Sequence, residues 1–135
     1  MPDLSAFRRA CYEVARRTGG EVIEFRLGDG VTPNFSQGVI GYRDRSVAVV
    51  LTRDTGVAAL AVPREVTGPD QESGPLTFVD DPHLLGALAG AGLTVLTAAE
   101  LDAPFQAAQW PAVSPADVKY WQPYSVGEAL FNYWD

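Results

Sequence analysis

Between Glu21 and Val62 four strand-like segments follow one another, most of them separated by short polar turns, and this spacing constrains the fold more than any other feature. In Glu21 to Leu27, Ile23, Phe25 and Leu27 alternate with Glu24 and Arg26, so a period of two places the apolar side chains on one face. Gly28-Asp29-Gly30 turns the chain, and Val31 to Ser36 widens the connection. The second segment, Gln37 to Arg43, follows with Ile40 and Tyr42 on one side. After the polar turn Arg43-Asp44-Arg45-Ser46, the stretch Ser46 to Thr52 is richly β-branched and has the composition of a central strand. Arg53-Asp54-Thr55-Gly56 turns into Val57 to Val62, which ends at Pro63. Strands joined this tightly pair antiparallel, because a parallel neighbour requires a long crossover.

Helical signals flank the meander. Phe7, Ala10, Cys11, Val14 and Ala15 recur at helical spacing behind Asp3 as a cap, with Gly19-Gly20 as the stop and Arg8, Arg9, Glu13, Arg16 and Arg17 on the outer face. Cys11 lies on the apolar stripe, which predicts a buried, inert thiol. Residues 63 to 75 form a long polar loop with three prolines, and Leu76 to Val79 returns as an edge strand. Asp81-Pro82 has the chemistry of a helix cap and first turn, with Leu84, Leu85 and Leu88 on the buried side and Gly90 and Gly92 at the end. Leu93 to Leu96 is a short strand, and Thr97 with Glu100 forms a capping box. Ser114-Pro115 opens a further helical turn, which Pro123 stops. The expected architecture is a single α+β domain over residues 1 to 135. Its antiparallel sheet of four or five strands packs with the N-terminal helix and C-terminal helices.

The balance of charge narrows the function. The net charge is −7, and it is uneven: residues 1 to 64 hold nine arginines against seven acids, while residues 65 to 135 hold Lys119 alone against ten acids. Such a half repels nucleic-acid phosphates and anionic membranes and attracts a basic protein. The simpler role of such charge is solubility. The longest apolar run, Leu84 to Leu96, is too short for a bilayer and is broken by glycines, and the N-terminus has no apolar segment of signal-peptide type, so a cytoplasmic protein is expected. One cysteine and one histidine leave no basis for a disulfide or a cysteine-rich metal site, and neither metal nor cofactor is expected. Few lysines beside many Arg, Ala, Gly and Val suggest a GC-rich bacterial genome.

Catalytic motifs are sparse. Asp54-Thr55-Gly56 matches the aspartic-protease tripeptide, but it occurs once, it follows Thr52-Arg53 rather than apolar strand residues, and a hairpin turn accounts for the same letters. No Walker sequence, no G-x-G-x-x-G after a strand and no G-x-S-x-G is present. Asp80, Asp81 and His83 form the one acid–base cluster that a small enzyme would use, although Asp81 is equally explained as a cap.

The tail Tyr120-Trp121-Gln122-Pro123-Tyr124-Ser125-Val126-Gly127-Glu128-Ala129-Leu130-Phe131-Asn132-Tyr133-Trp134-Asp135 is the most aromatic part of the chain. Ser125 and Glu128 form a capping box there, with Val126, Leu130, Phe131 and Trp134 on one helical face. An apolar tail stays ordered by docking, on its own domain or on a partner. This ending resembles that of small uncharacterised bacterial proteins, and the size, acidity and α+β class resemble the immunity proteins of bacterial toxin systems. The resemblance implies a protein that binds and blocks a toxin, and it carries over no catalytic residue. The expected partner is a basic protein met through Phe35, Asp70, Glu72, Asp80, Asp81, Glu100, Asp102, Asn132 and Trp134, with a homodimeric module burying the tail as an alternative.

Overall fold

The computed structural model describes residues 4–27, 34–53, 55–63 and 76–131. The Asp3 cap, the Gly28-Asp29-Gly30 turn, Asp54, Asp70, Glu72, Asn132 and Trp134 therefore lie outside the described residues. Along the chain run α1 (Leu4–Thr18), β1 (Glu21–Arg26), β2 (Phe35–Gly41), β3 (Ser46–Thr52), β4 (Val57–Ala61), α2 (Pro82–Gly90), β5 (Thr94–Val95), α3 (Ala98–Asp102), a 3-10 turn (Ala107–Gln109), α4 (Pro115–Trp121) and α5 (Val126–Leu130). The strands form one sheet in the order β1-β2-β3-β4-β5. The first four pair antiparallel as the short turns dictate, and β5 joins β4 in parallel after the crossover that contains α2.

β4 carries two neighbours along its outer edge. β5 pairs with Val57 and Ala58. The returning chain pairs with the other end through the Ala61–Phe78 bridge, where Val62 N–H donates to the Thr77 carbonyl and Val79 N–H to that of Leu60, both at 2.9 Å. The edge strand expected at Leu76 to Val79 is thus a single bridge.

The sheet is covered on both faces. Val47, Val49, Leu51, Ala58 and Leu60 meet Phe7, Cys11, Val14 and Ala15 of α1 and Leu84 and Leu88 of α2. The alternate residues Ala48, Val50, Val57, Ala59 and Ala61 meet Leu76, Leu101, Val126, Leu130 and Phe131. This explains why β3 and β4 are apolar at almost every position: a strand buried on two sides has no solvated face to make polar.

α1 buries Phe7, Ala10, Cys11, Val14 and Ala15, the stripe that its spacing predicts. Gly19 adopts φ +75°, and Gly20 N–H closes the end by donating to the Ala15 carbonyl at 2.9 Å. On the outer face Glu13 accepts from both Arg16 and Arg17, whose hydrogen bonds hold its carboxyl below the usual carboxylate range. Gly38 lets the helix approach the sheet, since a Cβ there would lie 2.6 Å from Cys11 Sγ and 3.2 Å from Phe25 Cε1. Burial in this contact pushes the Cys11 thiol up to about 12.

Two expectations in the meander are corrected. A β-bulge between Val22 and Glu24 breaks the simple alternation of β1. Val22 and Phe25 then pack towards α1, while Ile23 is 60 % exposed and leans over Gly41, where the missing side chain leaves room for it. The second strand begins at Phe35 rather than Gln37, and Phe35 pairs with Thr52. Phe35 is 1 % exposed and meets the Phe131 ring edge-on at 6.0 Å, so it belongs to the core and is withdrawn from the partner surface expected for it. Beside it, buried Asn34 donates through Nδ2 to the Leu130 carbonyl at 2.8 Å, which ties the start of β2 to the end of α5.

Candidate functional site

Asp80 and Asp81 are adjacent in sequence but serve different helices. Asp81 is the N-cap of α2, its Oδ1 accepting from the N–H groups of His83 at 3.1 Å and Leu84 at 3.2 Å, while its Oδ2 receives Arg45 Nη2. Asp80 Oδ1 accepts from Ala98 N–H at 2.9 Å, in the first turn of α3. Shared-proton or paired acid–base work requires both carboxylates to face one reacting atom. Here each is tied to backbone in a different place, and His83 is exposed next to Asp81 alone. Among the described residues no group of three His, Cys, Asp or Glu is placed to hold a metal ion. Around Thr55 and Gly56 the described residues make a turn: Thr52 Oγ1 accepts from Val57 N–H at 3.0 Å and lies 2.6 Å from Thr55 Oγ1, and Gly56 takes φ +67°.

Of the carboxylates expected on the partner surface, the other described ones gather around α3. Glu100 completes the capping box with Thr97, its Oε1 accepting from Thr97 N–H at 2.9 Å. Asp80, bound at Ala98, stands at the same end of the helix, and exposed Asp102 closes its other end. The fold therefore brings Asp80, Glu100 and Asp102 to one short helix, whereas Asp81 is turned towards Arg45. Such caps take one or two lone pairs of a carboxylate and leave its charge in place.

A second group of side chains was not singled out from the sequence. α4 buries none of its residues, and Gln122, in the left-handed conformation at φ 48°, ends it with N–H donated to the Val118 carbonyl at 2.9 Å. Around this turn Tyr120 is 78 % exposed, Tyr124 80 % and Trp121 38 %, with the Tyr120 and Trp121 rings edge-on at 5.0 Å. The backbone that carries Tyr124 is held from two sides: its N–H donates to Glu128 Oε2 at 2.7 Å, and its carbonyl accepts from Phe105 N–H at 3.2 Å. The Ser125–Glu128 capping box fixes the helix that follows. Large rings held on pinned backbone present contact area at little entropic cost, as protein-binding surfaces do. The tail thus divides. Val126, Leu130 and Phe131 dock on the sheet as their spacing predicts, while Tyr120, Trp121 and Tyr124 face solvent. The signal for that division is that Tyr120 and Trp121 end α4 and Tyr124 lies in the connection to α5, all outside the apolar period of the docked helix.

No helix among the described residues is long and apolar enough to cross a membrane. No family model matches the chain, and neither a curated protein nor a solved structure matches it.

Proposed function

We propose that this protein is a non-enzymatic binding protein, of immunity or chaperone type, that holds a basic partner protein through its C-terminal half. The observation that carries the proposal is the exposed aromatic group Tyr120, Trp121 and Tyr124 on pinned backbone. It lies in the half of the chain where ten acids face one lysine. Tyrosine and tryptophan dominate binding energy at protein interfaces, and rim carboxylates around them speed the encounter with a positive partner. Arginine and lysine side chains of the partner would also find the faces of exposed rings. The enzyme alternative loses support where it was most concrete, because Asp80 and Asp81 hold separate helix starts.

The test is affinity capture from the native host at low and high salt, with Tyr120→Ala/Tyr124→Ala as the paired bait. Recovery of a basic protein that the double substitution and high salt both reduce supports the proposal. Turnover of a small molecule that depends on His83, or capture indifferent to both changes, overturns it. Self-association that is lost with the same two substitutions would transfer the surface to a homodimer.

A further inference from the structure

A cleft of about 530 Å³ opens between the end of α1, the turn from β2 to β3 and the start of α2, lined among others by Arg17, Tyr42, Arg43, Arg45, Asp81 and His83. Three of the nine arginines converge on it in a protein of net charge −7. Their local pairing leaves cationic capacity over. The one carboxylate of Glu13 is divided between Arg16 and the Nε of Arg17. Among the described residues Arg43 has no ion-pair partner, whereas Arg17 Nη1 lies beside Gly90 at the far end of α2, 3.4 Å from where a Cβ there would stand. Arg45 is stacked over the Tyr42 ring at 4.9 Å from its centroid and neutralises Asp81, whose other oxygen is already engaged with the α2 backbone. Asp44 is the remaining acid in the lining, exposed in the turn beside Arg43. Because Asp81 occupies the N–H groups of α2, the guanidinium groups rather than the helix end make this a site.

We infer that this cleft binds a compact phosphate-bearing anion, with Arg43 as its principal donor and Arg17, Arg45 and His83 at the edge. The planar forks of arginine suit the oxygens of phosphate, and several forks around one cavity favour a multiply charged ligand over a single carboxylate. Tyr42, Leu84 and Ala87 give the cleft an apolar side against which an organic body attached to the phosphate can lie. The volume is that of a small-molecule site.

Calorimetric titration at low ionic strength tests this with two probes, inorganic pyrophosphate and phenyl phosphate. One-to-one saturable binding is expected, weakened about tenfold by Arg43→Gln, the value of one lost charge-assisted hydrogen bond. Arg9→Gln, which removes the same charge from exposed α1 surface outside the cleft, should leave binding unchanged. Arg43 is exposed, so a melting curve for Arg43→Gln should coincide with that of the wild type. Tighter pyrophosphate assigns the cleft to free phosphate species, and tighter phenyl phosphate to a phosphorylated organic molecule. Absence of saturation with both probes, or equal loss in Arg9→Gln and Arg43→Gln, overturns the inference.

Discussion

Replacing Gly38 by alanine tests how α1 is seated on the sheet. The backbone at Gly38 lies outside the left-handed region, so alanine can adopt it, and the cost arises from contact alone. A Cβ placed 2.6 Å from Cys11 Sγ and 3.2 Å from Phe25 Cε1 has to push the helix or the ring outward. Overpacking of this kind costs about 1–3 kcal/mol. The smaller unfolded-state entropy of alanine returns about 0.4–1 kcal/mol, leaving a net loss of roughly 1–2 kcal/mol. Cys11→Ala alone leaves a small cavity under the helix and should cost about 1–2 kcal/mol. In the double variant the new methyl occupies the space that the sulfur leaves, so the two losses should fall short of additive by about 1 kcal/mol. Urea unfolding of the four proteins, with slopes equal within error, measures the cycle. Additivity within about 0.5 kcal/mol would show that Gly38 and Cys11 are not in contact and would refute this seating of α1.

Cys11 should resist alkylating reagents at pH 8 in the folded protein and react at once in denaturant, because burial holds the thiol at about 12. Since the folded value lies above the unfolded one, the neutral thiol supports folding at low and neutral pH, and that support falls away as pH rises from the ordinary thiol range towards about 12. Alkaline unfolding of Cys11→Ala should lack this component. Phe131→Ala removes a buried ring that meets Phe35 and Phe78 and should cost about 3–5 kcal/mol by denaturant titration; an unchanged midpoint would mean the tail is not docked. Gly127→Ala should destabilise by about 1–3 kcal/mol, because its Cβ would fall 2.5 Å from Phe78 Cε2 and 3.2 Å from the Leu101 carbonyl oxygen.

Features set by neighbours in sequence were legible from the letters. The stripe of α1, the Asp81 cap and the capping boxes at Thr97 and Ser125 each depend on side chains within one or two turns, and each stands where its residues predict. What escaped depends on distant residues. Ile23 alternates properly with Glu24 until the register against β2 inserts a bulge, and only Gly41 on the neighbouring strand makes room for it. Phe35 looks like a loop residue beside Pro33, and its place in the core is decided by Phe131; the adjoining Asn34–Leu130 hydrogen bond spans 96 residues of sequence. Asp80 looks like half of a catalytic pair until α3 arrives to take its carboxylate. The aromatics at 120 to 124 share the composition of the docked tail, yet Tyr120 and Trp121 stand before the left-handed turn at Gln122 and Tyr124 before the Ser125 cap, outside the helix that docks.

The most direct measurement of the partner surface is the binding kinetics of the captured basic protein on immobilised wild type, Tyr120→Ala/Tyr124→Ala and Glu100→Lys/Asp102→Lys. Rim charges act on encounter and buried rings on escape. The lysine variant should therefore slow association, with a weaker salt dependence, and leave dissociation unchanged. The alanine variant should speed dissociation by tenfold or more, the effect of losing about 1.4 kcal/mol, at an unaltered melting temperature. Kinetics indistinguishable from wild type in both variants would contradict binding through this half of the molecule.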